Sequence, residues 1–245
     1  MSRFNFGSAN STPPVVKNLI VINIVMFVAL FAFTQFFRTD LNRVLGMYYI
    51  QSPLFRPWQI VTHMFMHGSI MHIFFNMWAL WIFGKTLESV WGGKRFLIYY
   101  LVTGLGAAFF HQLVMYIEMG SQIADLKAAY NIDVLTMDRM NQIFATGSQY
   151  NDLIRDLVKP TVGASGAVFG ILLAFGMLFP NTPLFIIPFP FPIKAKYLVI
   201  GYGALELYLG VTQSGSNIAH FAHLGGMIFG FILIKYWNKT RSNFY

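Results

Sequence analysis

The chain has 245 residues, of which 56% are hydrophobic, 18% aromatic and only 11% charged, against roughly 25% charged in soluble domains. Its net charge of +8 comes from 17 basic and 9 acidic residues, and there is no cysteine. This composition excludes a soluble domain and marks a polytopic membrane protein, while the missing thiols exclude disulfides, thiolate catalysis and thiolate-bound zinc.

In chain order, a polar tail from Met1 to Pro14 carries one Arg and ends in Pro-Pro. The apolar run behind it, Asn18 to Phe37, is charge-free and lacks a small-residue cleavage site; it reads as a signal anchor and not as a removed signal peptide. Arg38 to Gly68 is semi-apolar, with Tyr48, Tyr49, Phe55 and Trp58, and suits a segment lying at the membrane interface. A second charge-free window covers Pro57 to Gly84 and a third Phe96 to Ile117. On the second, His72 and Asn76 stand at i and i+4, on one helical face, and can aim donors at a common spot.

Glu118 to Pro160 then inserts some 40 residues, with six acids and with Ile143, Phe144, Ile154 and Leu157 at helix-like intervals. An external helical cap that contacts substrate and a merely tolerated insertion both fit. The fourth window, Pro160 to Ile193, is too long for one helix, and Pro180, Pro183, Pro188, Pro190 and Pro192 end it after Phe179. Tyr197 to Val211, interrupted by Glu206, and Asn217 to Ile234 complete six predicted spans. A lone charge at Glu206 would cost roughly 2.5–3.5 kcal/mol, so it is expected to be protonated or hydrogen-bonded to a neighbouring helix. The expected organisation is all-α: a polar tail at 1–17, a six-helix membrane domain over 18–237 that includes the insertion at about 118–160, and a basic tail at 238–245.

With the N-terminus cytoplasmic, ten of the 17 basic residues fall on the cytoplasmic side; of the other seven, four lie in the long insertion, which weighs little on orientation. The predicted topology is N-in, C-in. The fourth and sixth spans then run parallel, so residues near their starts sit at similar depth. Ser165, in Gly163-Ala164-Ser165-Gly166-Ala167-Val168-Phe169-Gly170, and His223, in Ala222-His223-Leu224-Gly225-Gly226, are such residues. Gly166 with Gly170, and Gly226 with Gly230, form small-xxx-small pairs that let backbones approach closely in lipid. Glycine pairs are mostly packing devices, and a serine among them usually hydrogen-bonds to the turn above. An intramembrane imidazole at matched depth points instead to a functional site.

Together with His63 to Asn76 (His-Met-Phe-Met-His-Gly-Ser-Ile-Met-His-Ile-Phe-Phe-Asn), these motifs resemble the three signature regions of the rhomboid family of intramembrane serine proteases, from about Pro57 to Ile234. The resemblance implies a six-helix rhomboid-like bundle in which Ser165 is the nucleophile and His223 its general base, a dyad with no acidic residue beside the histidine. It also implies that Phe169, one turn after the serine, stacks on His223 where many relatives carry Tyr. His72 and Asn76 would help the Ser165 N–H form the oxyanion hole, with Gly163 in support. Where the family commonly has Trp-Arg, this chain reads Trp58-Gln59. Asn76 alone would pass for polar glue between helices.

His63, His67, His72, His220 and His223 could alternatively gather around a metal, but there is no His-Glu-x-x-His base; no metal and no cofactor is expected. His63 and His67 are read as stabilising the loop before the second span, and His111 and His220 carry no assigned role. The function expected is cleavage of transmembrane segments by an integral, multi-pass enzyme of the bacterial inner membrane. Its partners are the bilayer and transmembrane substrates, without nucleic acid. The alternatives are a catalytically inactive relative that binds membrane clients, which would have no need of both Ser165 and His223, and a transporter, for which Glu206 is the sole intramembrane carboxylate.

Overall fold

The computed structural model describes residues 12–185, 191–212 and 217–240. The tail before Thr12, the residues after Thr240, and Pro188 and Pro190 lie outside the described residues. Helices dominate: α1 (Pro14–Phe37), α2 (Leu41–Leu45), α3 (Gln59–Thr62), α4 (Ile70–Ala79), α5 (Lys85–Trp91), α6 (Gly93–Ala129), α7 (Met137–Ala145), α8 (Asn151–Leu157), α9 (Ser165–Leu178), α10 (Ala195–Thr212) and α11 (Asn217–Thr240). A π-helical turn, Leu80–Gly84, joins α4 to α5 without a break. The pair β1 (Pro183–Leu184) and β2 (Ile193–Lys194) is antiparallel, Pro183 opposite Lys194.

Among the described residues, three stretches are long and apolar enough to cross a membrane by length and composition: α1, Ile70–Trp91 and α6. Val21, Val25, Val28 and Phe31 on α1, with Ile200, Leu207 and Tyr208 on α10, expose apolar side chains, as expected where lipid and not water is the neighbour. The chain is thus an integral membrane protein built as a helical bundle.

Proline at the start of α1 contributes no N–H, and the next two amides are satisfied from 70 residues away. Glu88 accepts from Val15 N through Oε1 at 3.0 Å and from Val16 N through Oε2 at 2.7 Å. A buried carboxylate at the positive end of a helix fills the orphan donors of its first turn. At the other end of the bundle the first loop is pinned by buried polar groups. Gln59 donates to the Val44 and Leu54 carbonyls and accepts from Arg56 N; Gln112 of α6 donates to Tyr48 O and accepts from Ile50 N. Tyr48 and Tyr49 are buried and Trp58 is half exposed, so only part of this loop meets the expectation of a segment lying at the membrane interface.

The third predicted span does not stop at Ile117. Helix α6 runs on to Ala129, about 55 Å at 1.5 Å per residue, well beyond a hydrocarbon core of about 30 Å. The first dozen residues of the insertion are therefore the continuation of that helix. Met115, Met119, Ile123 and Leu126 make an apolar stripe on it, against which Met140 and Ile143 of α7 and Leu153, Ile154 and Leu157 of α8 form a separate small core. Phe144 stays exposed. At the C-terminal end α11 extends to Thr240, taking in the first three residues of the tail expected from residue 238.

Helix α9 lies at the centre. Nearly every side chain from Gly166 to Gly176 is buried, enclosed by α6, α10 and α11. A Cβ on Gly226 would collide with the Gly166 carbonyl, so α9 and α11 touch backbone to backbone. Gly170 closes instead on Thr103 of α6, and Gly230 on Tyr99 and Thr103, while Tyr99 Oη donates to Gly170 O at 2.8 Å. The two glycine pairs thus serve a three-helix junction and not one groove. Its register sets the depth of Ser165 and His223.

Candidate active site

Ser165 is the first residue of α9, so its N–H is one of the orphan donors at a helix N-terminus. The residue two before it, Gly163, has φ +132°, and a Cβ there would lie 2.8 Å from His72 Nε2. Only glycine adopts that backbone easily, and here it also leaves room for the imidazole. Gly163 N donates to His63 O at 2.9 Å, which ties the serine loop to the segment before α4.

From α11, His223 Nε2 stands 2.9 Å from Ser165 Oγ. On α9, one turn beyond Ser165, the Phe169 ring is stacked on His223 with centroids 4.2 Å apart and planes 5° from parallel. The serine, the histidine and the aromatic ring singled out in the sequence are brought together. An imidazole nitrogen at this distance can take a hydroxyl proton as the oxygen attacks a carbonyl.

Ser69 caps α4 by accepting from His72 N at 3.1 Å, which fixes where the His72 and Asn76 face begins. His72 lies against Gly163 and edge-on to His67, centroids 5.0 Å apart. Asn76 is buried, and its Nδ2 has no hydrogen-bond partner among the described residues; a buried donor left unpaired costs about 1–3 kcal/mol and invites a ligand acceptor. His63 accepts through its own carbonyl from Gly163 and contacts Gln59 O through Nδ1 at 2.9 Å. His111, without an assigned role in the sequence, meets Thr161 Oγ1 at 2.9 Å.

Two spaces adjoin these groups. A cavity of about 50 Å³ beside Ser165 is lined by Met47, His63, His111, Thr161, Gly163 and His223 among others, room for several waters. An apolar cleft of about 380 Å³ lies among α4, α9 and α10, with Phe75, Asn76, Trp78, Phe169, Leu172 and Tyr202 in its walls.

The expectation that no acid stands beside His223 is overturned. Glu206 Oε2, on α10, is 3.0 Å from His223 Nδ1 and 2.6 Å from His220 Nδ1. Glu206 lies six residues before the end of α10 (212 − 206) and His223 six after the start of α11 (223 − 217), so in adjacent, consecutive helices the two have matched depth. That count was available from the sequence. Donor atoms of Glu206, His220 and His223 lie within 4.8 Å of one another, a set able to hold a metal ion. Contacts of 2.6 and 3.0 Å are also ordinary hydrogen-bond lengths, and two N–H donors satisfy one carboxylate oxygen.

Fold and site together define a helical membrane protein with a serine–histidine pair inside its bundle. A rhomboid domain is matched over residues 55–239, and the chain belongs to the rhomboid family. It is 29% identical over 231 residues to RHOMBOID-like protein 12, mitochondrial, of Arabidopsis thaliana, covering 94% of this chain and 60% of that one. To Rhomboid protein 1, mitochondrial, of Saccharomyces cerevisiae it is 26% identical over 74% of this chain and 42% of that one. To Rhomboid protease GluP of Bacillus subtilis it is 27% identical over 71% and 25%. The chain spans about half the length of the first curated relatives it matches.

Proposed function

We propose that this protein is an intramembrane serine endopeptidase that cleaves transmembrane segments of membrane proteins near their outer end, without a cofactor. The observation that carries the reading is the 2.9 Å contact between Ser165 Oγ and His223 Nε2 at the N-terminus of a buried helix. His223 takes the hydroxyl proton as Ser165 attacks the scissile carbonyl, then returns it to the leaving amine; water releases the acyl group by the same route reversed. Charge on the carbonyl oxygen is met by the Ser165 N–H with the His72 and Asn76 side chains, around a loop that Gly163 keeps open. The cavity beside Ser165 supplies room for the hydrolytic water, and the apolar cleft beside α10 is where an unwound apolar segment would enter.

The 14 residues of α9 span about 21 Å, less than the hydrocarbon thickness of about 30 Å. A helix that short would leave its serine below the membrane surface; six spans with both termini on the cytoplasmic side are part of the same reading. The membrane proposed is a bacterial inner membrane. Relatives from Bacillus subtilis and Providencia stuartii are bacterial, whereas those from yeast and Arabidopsis carry mitochondrial names; fractionation of cells of the source organism decides it. The partners are the bilayer and transmembrane substrates, with no nucleic acid.

The test is cleavage of a labelled transmembrane substrate by the purified protein in detergent or bicelles. Parent protein should cleave it, and Ser165→Ala and His223→Ala should each be inactive while folded. A fluorophosphonate should label Ser165, and chelators should leave activity unchanged. Parental cleavage by Ser165→Ala, or inhibition by EDTA that zinc reverses, would overturn the reading; a folded parent that binds membrane clients but cuts none would mark an inactive relative.

A further inference from the structure

We propose that Glu206 is a positioning residue for His223, so that carboxylate, imidazole and serine hydroxyl form one hydrogen-bonded chain of three members. The inference rests on the serine-protease reading above and goes beyond its two-residue chemistry. One oxygen, Glu206 Oε2, contacts the Nδ1 atoms of His223 and His220 at 3.0 and 2.6 Å. A carboxyl oxygen can accept two such hydrogen bonds but donate at most one. Both contacts are satisfied together when Glu206 is a carboxylate and each Nδ1 carries a proton.

The consequence for His223 is a fixed tautomer. With its proton on Nδ1 and held by Glu206, Nε2 presents a lone pair to Ser165 Oγ, 2.9 Å away. During acylation the Oγ proton moves to Nε2 as Oγ bonds to the substrate carbonyl carbon. The Nδ1 proton stays on the ring, and the carboxylate faces the imidazolium that results. When the C–N bond breaks, the Nε2 proton passes to the leaving amine. Phe169 stacks on one face of the same ring, so the imidazole is held in its plane by the carboxylate and against rotation by the aromatic side chain.

His220 has its own part in this arrangement. It stands at i−3 from His223 on α11, and its N–H is the second donor to the buried carboxylate. A buried charge needs such partners, and with two donors on one oxygen Glu206 is anchored in the orientation that His223 requires.

The experiment uses the full-length protein in bicelles. Glu206→Gln, nearly isosteric, should lower kcat by up to about 10⁴-fold, the loss seen when the orienting acid of a serine–histidine pair is replaced by its amide, with KM within about threefold. Glu206→Asp, which keeps the carboxylate, should retain more of kcat than Gln, and His220→Gln should lose less than Glu206→Gln. In the parent protein, nitrogen NMR on isotopically labelled histidine, with the His223 signal assigned by its loss in His223→Ala, should show Nδ1 protonated and Nε2 bare. That measurement does not depend on any Glu206 variant folding. A kcat within threefold of parent for folded Glu206→Gln, or a His223 protonated on Nε2 alone, overturns the proposal. Failure of the underlying reading has a different sign: Ser165→Ala would cleave, whatever the tautomer of His223.

Discussion

The ring of Phe169 lies parallel to that of His223, 4.2 Å away. The two residues belong to different helices, α9 and α11, that touch through Gly166 and Gly226, so the stack depends on backbone contact at the residue next to the serine. Stacked aromatic pairs contribute about 0.5–1.5 kcal/mol, a modest amount for stability. For a base that must keep its Nε2 aimed at one hydroxyl the same energy suppresses rotation.

Replacing Phe169 with Ala is therefore expected to lower kcat about tenfold and to slow fluorophosphonate labelling of Ser165 in parallel. Phe169→Tyr, which preserves the stacked ring, should stay within threefold of parent. Comparing turnover with the labelling rate checks this. A Phe169→Ala protein with parental kcat would make the ring a packing element of the cleft wall and nothing more.

Much of this site was legible because its residues are chemically conspicuous in an apolar chain. Ser165 and His223 stand out among glycines, and parallel spans put them at one depth. His72 and Asn76 share a face by spacing alone. Helix ends were less legible for a physical reason. The first charge marks where a helix leaves lipid, whereas α6 continues through Glu118, Asp125 and Lys127 to Ala129, because leaving the membrane does not end hydrogen bonding along the helix. The partners of Glu206 went unseen because depth was matched between the parallel fourth and sixth spans and not between the consecutive fifth and sixth. Gln59, buried and bonded to two carbonyls of the first loop, looked in sequence like a plain departure from Trp-Arg.

Glycine at 163 answers two constraints at once, a φ of +132° and the closeness of His72 Nε2. Gly163→Ala is expected to strain the backbone by about 1–3 kcal/mol and to push His72 off its position. Cleavage should fall at least 100-fold with the protein still folded at room temperature. Activity assay and thermal unfolding of this variant together check it, since a variant with normal turnover would show that the loop relaxes without moving His72.

At the far side of the bundle Glu88 caps α1 through Val15 N and Val16 N. Glu88→Ala strands one buried donor, Val16 N, and one partly buried donor, Val15 N, and should destabilise the protein by about 2–4 kcal/mol. Glu88→Gln, which keeps one acceptor oxygen, should cost less. Neither change touches the site, so kcat below the lowered melting temperature should remain within twofold of parent. Unfolding curves paired with kinetics at low temperature separate these effects.

The last expectation distinguishes oxyanion donors from interhelical glue at His72 and Asn76. Asn76 Nδ2 is buried without a partner among the described residues, and His72 Nε2 reaches the Gly163 loop just before Ser165. Donors of this kind act on charge that develops on the substrate oxygen and do not activate the hydroxyl. His72→Ala and Asn76→Ala should each lower kcat about 10²- to 10³-fold with little change in KM. Fluorophosphonate labelling should fall less than peptide turnover, because the proton transfer between Ser165 and His223 remains. If both donors serve one oxygen, the double variant should lose less than the product of the two single losses. Stability should change by only about 0.6 kcal/mol per contact, the average for interhelical polar pairs in lipid, and removal of the unpaired Asn76 amide could even raise it. Unchanged turnover with a large fall in melting temperature would instead assign both side chains to holding α4 against the serine loop.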